Sequence, residues 1–417
     1  MNHQAPLPDR FSPPREDMRV VLLEGVADSA FHLLSRAGYV NVTRLPGALH
    51  GAALAEALEG VHLLGLRSRT RLTDAALHAA DSLLAVGCFC IGTDQVDLAA
   101  ARARGIPVFN APFSNTRSVA ELVMGEIVML LRRVPEKSIA AHRGAWDKSA
   151  ANSWEVRGKT LGIVGYGNIG SQLSALAEAF GMRVLYHDVV DKLPRGNVRQ
   201  AATLDELLAE SDVVTLHVPQ TPQTARMIGA AELAAMKPGS FLVNNSRGSV
   251  VDLDALAEAL RRGHLLGAAI DVFPVEPTGK HDRLSTPLQG LPNVILTPHI
   301  GGSTAEAQWN IGEEVARRLV EYADAGATLG AVNFPQVQLP ARNHDIRYIH
   351  VHRNVPGMLG QVDLVFSSRG LNIAAQYLQT EGDVGYVVAD VEGPAHDPGV
   401  LAALRAIPGT ISARKLC

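Results

Sequence analysis

Leu161-Gly162-Ile163-Val164-Gly165-Tyr166-Gly167-Asn168-Ile169-Gly170 is the stretch of this 417-residue chain that decides its fold. A short apolar run leads into a glycine turn, and a helical pattern follows. A second apolar run then ends on Asp188, twenty-three residues after Gly165. That is the strand-turn-helix-strand context of a dinucleotide fingerprint. Gly165 permits the tight turn, Gly167 lets backbone approach a pyrophosphate, and Gly170 lets the helix pack close to the sheet. The pyrophosphate would lie against Gly167, Asn168, Ile169 and Gly170, where the helix N-terminus offers free N–H groups. Asp188 would take the adenosine ribose hydroxyls and repel a 2′-phosphate, which points to NAD. Lys192 and Arg195 lie near in sequence and keep NADP open at this stage.

Outward from the fingerprint, the second unit of the chain runs from about residue 118 to residue 302. Six strands are expected in it: Thr160–Val164, Arg183–Tyr186, Val213–His217, Ser240–Asn244, Gly267–Ile270 and Val294–Leu296. Helical patterns separate them, which makes a doubly wound parallel sheet. A long helical pattern starting at Ser118 precedes this sheet. The first unit, residues 18–117, alternates strand and helix in the same way, from Val20-Val21-Leu22-Leu23 to Val108-Phe109. A helix from Ala305 to Ala323 is expected to return to it, so residues 303–325 complete a discontinuous domain. Residues 326–344 read as a linker carrying Pro335 and Pro340. Residues 345–417 read as strand-helix-strand-strand-helix-strand, a small two-layer fold able to pair with a second copy.

The bulk numbers restrict the partners. Hydrophobic content is 47%, charge is 19% and net charge is −4, without a long basic run, so neither nucleic acid nor a membrane surface is expected. The most apolar helix candidate, Val119 to Leu131, is short and interrupted by Glu121 and Glu126. Residues 1–17 carry four prolines and no apolar signal core, and read as a frayed extension on a cytoplasmic protein. Three cysteines give no disulfide framework, and Cys88-Phe89-Cys90 has strand alternation, so no metal site is expected.

Four polar residues fall at or beyond the C-terminal ends of second-unit strands, where open parallel sheets bind ligands. They are Arg247, Asp271, Glu276 and His299. Taking a hydride from an alcohol carbon requires a base for the hydroxyl proton, and histidine suits it near neutral pH. A carboxylate on the other ring nitrogen would fix the tautomer, and an arginine would grip a substrate carboxylate. His299 is therefore assigned as acid/base, Glu276 as its partner, Arg247 as the clamp and Asp271 to the nicotinamide end of the cofactor. Singly, each could equally be an ordinary loop residue.

Gly162 to Gly170, Asn244-Asn245-Ser246-Arg247-Gly248, Ala269-Ile270-Asp271-Val272-Phe273 with Glu276, and Thr297-Pro298-His299-Ile300-Gly301-Gly302 together resemble the D-isomer-specific 2-hydroxyacid dehydrogenases. The resemblance covers about residues 18 to 325. It implies a nicotinamide-dependent oxidation of a D-2-hydroxy acid on two Rossmann-like α/β domains. Within the family, Gly65-Leu66-Arg67-Ser68-Arg69-Thr70 and the stretch from Asn110 to Glu121 resemble the branch that acts on D-3-phosphoglycerate. That resemblance implies substrate contacts at Arg67, Ser68, Arg69 and Asn115, with the arginines on the phosphate. Two guanidiniums suit a dianion. With the phosphate on one domain and the base on the other, the domains are expected to close over the substrate. Trp146-Asp147-Lys148 resembles a segment that reaches across a dimer interface.

The tail resembles an ACT domain, which implies L-serine bound by His352, Asn354 and Asn372 between paired tails. The long helix at Ser118 and the tail both offer self-pairing surfaces, so a homotetramer is expected. Other readings stay open at this point. The substrate could be an unphosphorylated acid such as 2-hydroxyglutarate or glycerate, and 2-ketoglutarate could be a side substrate. The chain could be an NAD-sensing regulator without turnover, and the tail an oligomerisation unit that binds nothing.

Overall fold

Alternation of short apolar strands with helices produces the first sheet directly. In the computed structural model, which describes residues 13–277, 282–340, 346–393 and 398–416, the chain divides into two compact units. One comprises residues up to Ser114 and from Gln308 onward, the other Asn115–Ala307. Residues 1–12 of the expected extension, residues 341–344 of the expected linker, and Cys417 lie outside the described residues.

The first unit contains β1 (Arg19–Leu22), α1 (Asp28–Arg36), β2 (Asn41–Arg44), α2 (Gly51–Leu58), β3 (Leu63–Leu66), α3 (Asp74–Ala79), β4 (Ala85–Cys88), α4 (Leu98–Ala103) and β5 (Val108–Phe109). The strands are all parallel in the order β2-β1-β3-β4-β5. β3 and β4 are buried along their whole length, as strands covered on both faces must be. β2 starts at Asn41 and leaves Tyr39 outside the strand. Tyr39 leaves the strand to bury its ring and donate its hydroxyl to Asp324 at 2.8 Å.

The second unit opens with α5 (Thr116–Leu131) and α6 (Val134–His142). There follow β6 (Thr160–Val164), α7 (Asn168–Ala179), β7 (Arg183–His187), β8 (Arg199–Gln200), α8 (Leu204–Glu210), β9 (Val213–Leu216), α9 (Ala230–Ala235), β10 (Ser240–Asn244), α10 (Leu253–Arg261), β11 (Leu265–Ile270) and β12 (Val294–Leu296). Its sheet is parallel in the order β12-β11-β10-β9-β6-β7-β8. The strand order reverses between β6 and β9, so the glycine turn after β6 stands at the topological switch point where such sheets bind ligands. Two elements correct the sequence expectation. The sheet has seven strands, not six, because β8 is a two-residue exposed polar edge with no apolar run to read. The helix α6 buries none of its side chains, so it carries no apolar stripe. Capping is conventional where it is seen: Asp252 accepts from Asp254 and Ala255 N–H at the start of α10, whose Leu253, Leu256, Ala257 and Leu260 face the core.

The helix α11 (Ala305–Ala325) follows, then β13 (Ile346–Arg353), α12 (Met358–Ser367), β14 (Asn372–Glu381), β15 (Val384–Glu392), α13 (Pro398–Ala406) and β16 (Thr410–Leu416). The tail strands form an antiparallel sheet in the order β14-β15-β13-β16. One face carries α12 and α13 over Tyr348, Val387 and Ala413. The other contributes Ile349, Val351, Tyr386, Val388 and Ile411 to the core built on the first sheet and α11. Buried polar groups reinforce that junction. Arg347 forms a two-pronged pair with Asp390 at 2.5 and 2.7 Å and donates to the Ala325 carbonyl at 2.9 Å. Arg414 donates to the Tyr322 carbonyl and Tyr386 to that of Gly326, so the carbonyl end of α11 meets two guanidiniums and a hydroxyl. The stretch from Gly326 to Pro340 is pinned too: Asn333 accepts from Val108 N–H, and Thr328, Ala331 and Phe334 are buried.

Candidate active site

The cofactor cradle is built by three glycines with different constraints. Gly165 has φ +92°, and a Cβ there would lie 2.4 Å from the His217 carbonyl oxygen. A Cβ on Gly170 would lie 2.4 Å from the Gly165 carbonyl oxygen, so the helix and the turn touch through backbone alone. At Gly167 nothing stands within 4 Å of the Cβ position, leaving room for an incoming group. The helix α7 starts at Asn168 with no side-chain cap, so the N–H groups of its first turn, from Asn168 and Ile169 on, point outward for an anion. Asp188, beyond β7, accepts from Tyr166 N–H at 2.8 Å and from Val190 N–H at 3.0 Å. Stacking of Tyr166 on Tyr186, with centroids 4.1 Å apart, stiffens the same turn. Replacing Asp188 with alanine should raise the KM for NAD and move the NAD-to-NADP ratio of kcat/KM by roughly tenfold or more toward NADP. Steady-state rates with each cofactor measure it.

His299 and Glu276 follow the C-terminal ends of β12 and β11 and meet each other there. His299 Nδ1 faces both oxygens of Glu276 at 3.0 and 2.9 Å, and the histidine side chain is half exposed. Its backbone is left-handed, φ +54°, and its N–H is held by the Asp271 carbonyl at 2.8 Å. A non-glycine residue holds that conformation only where its surroundings fix it. The hydrogen bond to Glu276 raises the His299 pKa. Partial burial opposes it, while the charges of Glu276 and Asp271 outweigh that of Arg247. For Glu276, burial pushes the carboxyl up, but the bond from His299, its charge, the Phe273 N–H and Arg247 leave it net below the usual range. Arg247 thus acts on both members of the pair.

Arg247 itself sits in a turn fixed by Asn244, whose Oδ1 accepts from Ser246 and whose Nδ2 donates to the Arg247 carbonyl at 3.1 Å. A Cβ on Gly248 would lie 2.0 Å from the Phe273 carbonyl carbon, so this turn can lie against the end of β11 only with glycine. The chain is 56% identical to D-3-phosphoglycerate dehydrogenase of Haemophilus influenzae, covering 98% of this chain and 99% of that protein. Against the Escherichia coli K12 protein of the same name the identity is 55%, over the same shares.

The chain belongs to the D-isomer-specific 2-hydroxyacid dehydrogenases.

Residues 124–301 match the family described as D-isomer specific 2-hydroxyacid dehydrogenase, NAD binding domain, and residues 349–412 match the AHAS small subunit-like ACT domain. The solved D-lactate dehydrogenase of Aquifex aeolicus, complexed with NAD and lactic acid, superposes with a TM-score of 0.67 at 28% identity, covering 76% of this chain and all of that one. The cofactor of this dehydrogenase is NAD, and the uncapped α7, the open space at Gly167 and the braced Asp188 fit it.

Asp271, assigned from sequence to the nicotinamide end, has a bracing task in this dehydrogenase. It is 1% exposed, and its carboxylate accepts from Thr297 Oγ1 at 2.6 Å and from Ile300 and Gly301 N–H at 2.8 Å each. It therefore holds the loop that carries His299. One residue of interest was not assigned to the site from sequence. Glu126 on α5 is fully buried and its carboxyl makes no hydrogen bond among the described residues. Burial first, and the Asp271 charge second, push its pKa up to about 8 against the opposing effect of the nearby Asn245 amide, which does not reach hydrogen-bond geometry. The signal was there as an acid in the middle of the apolar run of α5. Asn115 precedes α5, is 9% exposed, and its Oδ1 has no partner among the described residues.

In the first unit, Arg67, Ser68 and Arg69 form the loop after β3. Arg67 is half-buried, and Ser68 and Arg69 are exposed. Trp146 is 84% exposed in a stretch without regular structure. In the tail, Asn354 and Asn372 are exposed, donating to the Gly382 carbonyl at 3.1 Å and to Glu392 at 3.0 Å. His352 differs: it is 3% exposed, its ring stacks on His350, and burial lowers its pKa. The three expected effector residues are therefore not equally presented to solvent. Among the described residues no cluster of three His, Cys, Asp or Glu side chains could hold a metal, and no helix is long and apolar enough to cross a membrane.

Proposed function

We propose that this dehydrogenase oxidises D-3-phosphoglycerate to 3-phosphohydroxypyruvate, the first step of L-serine synthesis, and is restrained by L-serine through its ACT domain. The observation that carries the reading is the His299–Glu276 pair, with Arg247 acting on both, in a chain that matches D-3-phosphoglycerate dehydrogenases along nearly their whole length. Arg247 grips the substrate carboxylate and polarises the C2 oxygen. His299 takes the hydroxyl proton through the ring nitrogen that Glu276 leaves open, while bound NAD supplies the acceptor for the C2 hydride. Glu276 keeps the ring oriented and stabilises the imidazolium that forms. Arg67 and Arg69 are assigned to the phosphate, with Ser68 and Asn115 as further substrate contacts. Asp271 is assigned to the nicotinamide end through the acceptor capacity that its loop donors leave. A second carboxylate suits the same arginines, so 2-ketoglutarate is assigned as a slower substrate for reduction.

L-serine is assigned to Asn354 and Asn372, with His352 behind them, between two paired tails. Self-association into a tetramer, through the tail and the Trp146 segment, and a cytoplasmic location belong to the same reading.

The test compares kcat/KM for D-3-phosphoglycerate with that for D-glycerate and D-2-hydroxyglutarate, in the native enzyme and in Arg67→Ala and Arg69→Ala. A phosphate preference that collapses in the variants supports the assignment. Equal kcat/KM for phosphorylated and unphosphorylated acids in the native enzyme would overturn it.

A further inference from the structure

The loop proposed to meet the substrate phosphate is built on a buried acid. Glu24, just beyond the end of β1, is 3% exposed, and its carboxylate reaches under residues 67–70. Its Oε1 accepts from Thr70 N–H at 2.8 Å and Arg67 N–H at 3.3 Å, and its Oε2 accepts from Arg69 N–H at 3.0 Å. The Arg69 guanidinium Nε stands 3.7 Å from the same Oε2. The carbonyl side of the loop is pinned as well, since Gln95 donates to the Arg67 carbonyl at 2.7 Å. Glu24 takes an unusual backbone to do this: its φ is +60°, its N–H bonds the Gly47 carbonyl, and Gly25 after it is left-handed too. A non-glycine residue holds that conformation only where the surroundings fix it.

The chemistry that follows is specific. Three N–H groups converging from one loop would make an anion-binding concavity of their own. Here the acid fills it, so the amides point inward and their partial positive charge is cancelled. Attraction for an incoming anion is left to the two guanidiniums, which the inward-turned backbone presents from a fixed base. A negative charge beneath the loop also disfavours a weakly charged ligand held by one arginine alone, and so favours a dianion held by both.

We propose that Glu24 is a positioning residue for the substrate phosphate, holding the Arg67-Ser68-Arg69-Thr70 backbone so that both guanidiniums meet one dianion. This rests on the assignment of Arg67 and Arg69 to the phosphate. In Glu24→Gln an amide N–H₂ faces a loop N–H donor, and at least one charge-assisted bond is lost.

The experiment measures KM and kcat for 3-phosphohydroxypyruvate and for 2-ketoglutarate with NADH, in the native enzyme, Glu24→Gln and Glu24→Asp. The expected result for Glu24→Gln is a KM for the phosphorylated substrate raised roughly ten- to a hundredfold, a smaller rise for 2-ketoglutarate, whose singly charged distal carboxylate gains less from both guanidiniums at once, and kcat on both within about threefold. Glu24→Asp keeps the charge and is read by the same split where Glu24→Gln does not yield folded enzyme. An unchanged KM for the phosphorylated substrate, or equal loss on both substrates, overturns the proposal. A native enzyme with no preference for the phosphorylated substrate would instead end the phosphate assignment itself.

Discussion

Replacing His299 with asparagine is expected to lower kcat by about 10²–10⁴-fold in both directions, with NADH affinity little changed. Asparagine keeps a polar side chain of similar reach but cannot carry the substrate proton. Stopped-flow turnover, with NADH titrated by its fluorescence, checks both parts. The pH dependence gives the sign. Oxidation needs His299 neutral and reduction needs it protonated. Because the bond to Glu276 holds its pKa above the ordinary imidazole value, reduction persists to higher pH than a free histidine would allow, and oxidation rises only above the same pKa. In Glu276→Gln that support is removed, the pKa falls, and the alkaline limb of the reductive profile moves to lower pH. A limb that stays in place would separate Glu276 from the proton transfer.

Replacing Arg247 with alanine should cost on the order of 10²–10³-fold in kcat/KM. The loss combines two terms. Anchoring of the carboxylate appears in KM, and polarisation of the C2 oxygen appears in kcat. Arg247→Lys keeps the charge but not the two-pronged geometry, so it should recover KM in part and kcat little. The change also touches the neighbouring pair, because the Arg247 charge lowers the pKa of both His299 and Glu276. The His299 pKa should therefore rise in Arg247→Ala, which removes that charge. Full activity in Arg247→Ala would remove the clamp from the mechanism.

What was legible in the sequence was what burial on both faces of a parallel strand forces into apolar runs. β6, β9 and β10 are buried end to end and read directly, and the glycine turn after β6 fixed the cofactor end. Elements held by other means were hidden. β8 is a polar edge, α6 has no buried stripe, and the stretch from Gly326 to Pro340 is tied down by side-chain hydrogen bonds of Asn333 and Thr328 to backbone. None of these leaves a periodic trace. The burial of His352 was hidden for a different reason. From Ile346 to His352 β13 is buried on both faces, so no alternation of burial marks His352 in the sequence.

Long-range polar contacts were the least legible. Glu24 meets a loop more than forty residues away, and Asp271 braces backbone about thirty residues on. Each is one acid beyond the end of a strand, indistinguishable in sequence from a turn residue. Glu126 was visible as an acid in an apolar helix, but its neighbours Asn245 and Asp271 come from two other strand ends.

The most direct measurement is the initial rate of NADH oxidation with 3-phosphohydroxypyruvate, with and without millimolar L-serine, in the native enzyme and in Asn372→Ala. The account predicts rapid turnover, suppression by serine in the native enzyme, and loss of that suppression in the variant. Absence of turnover on this substrate, beside good turnover on an unphosphorylated 2-keto acid, would contradict it.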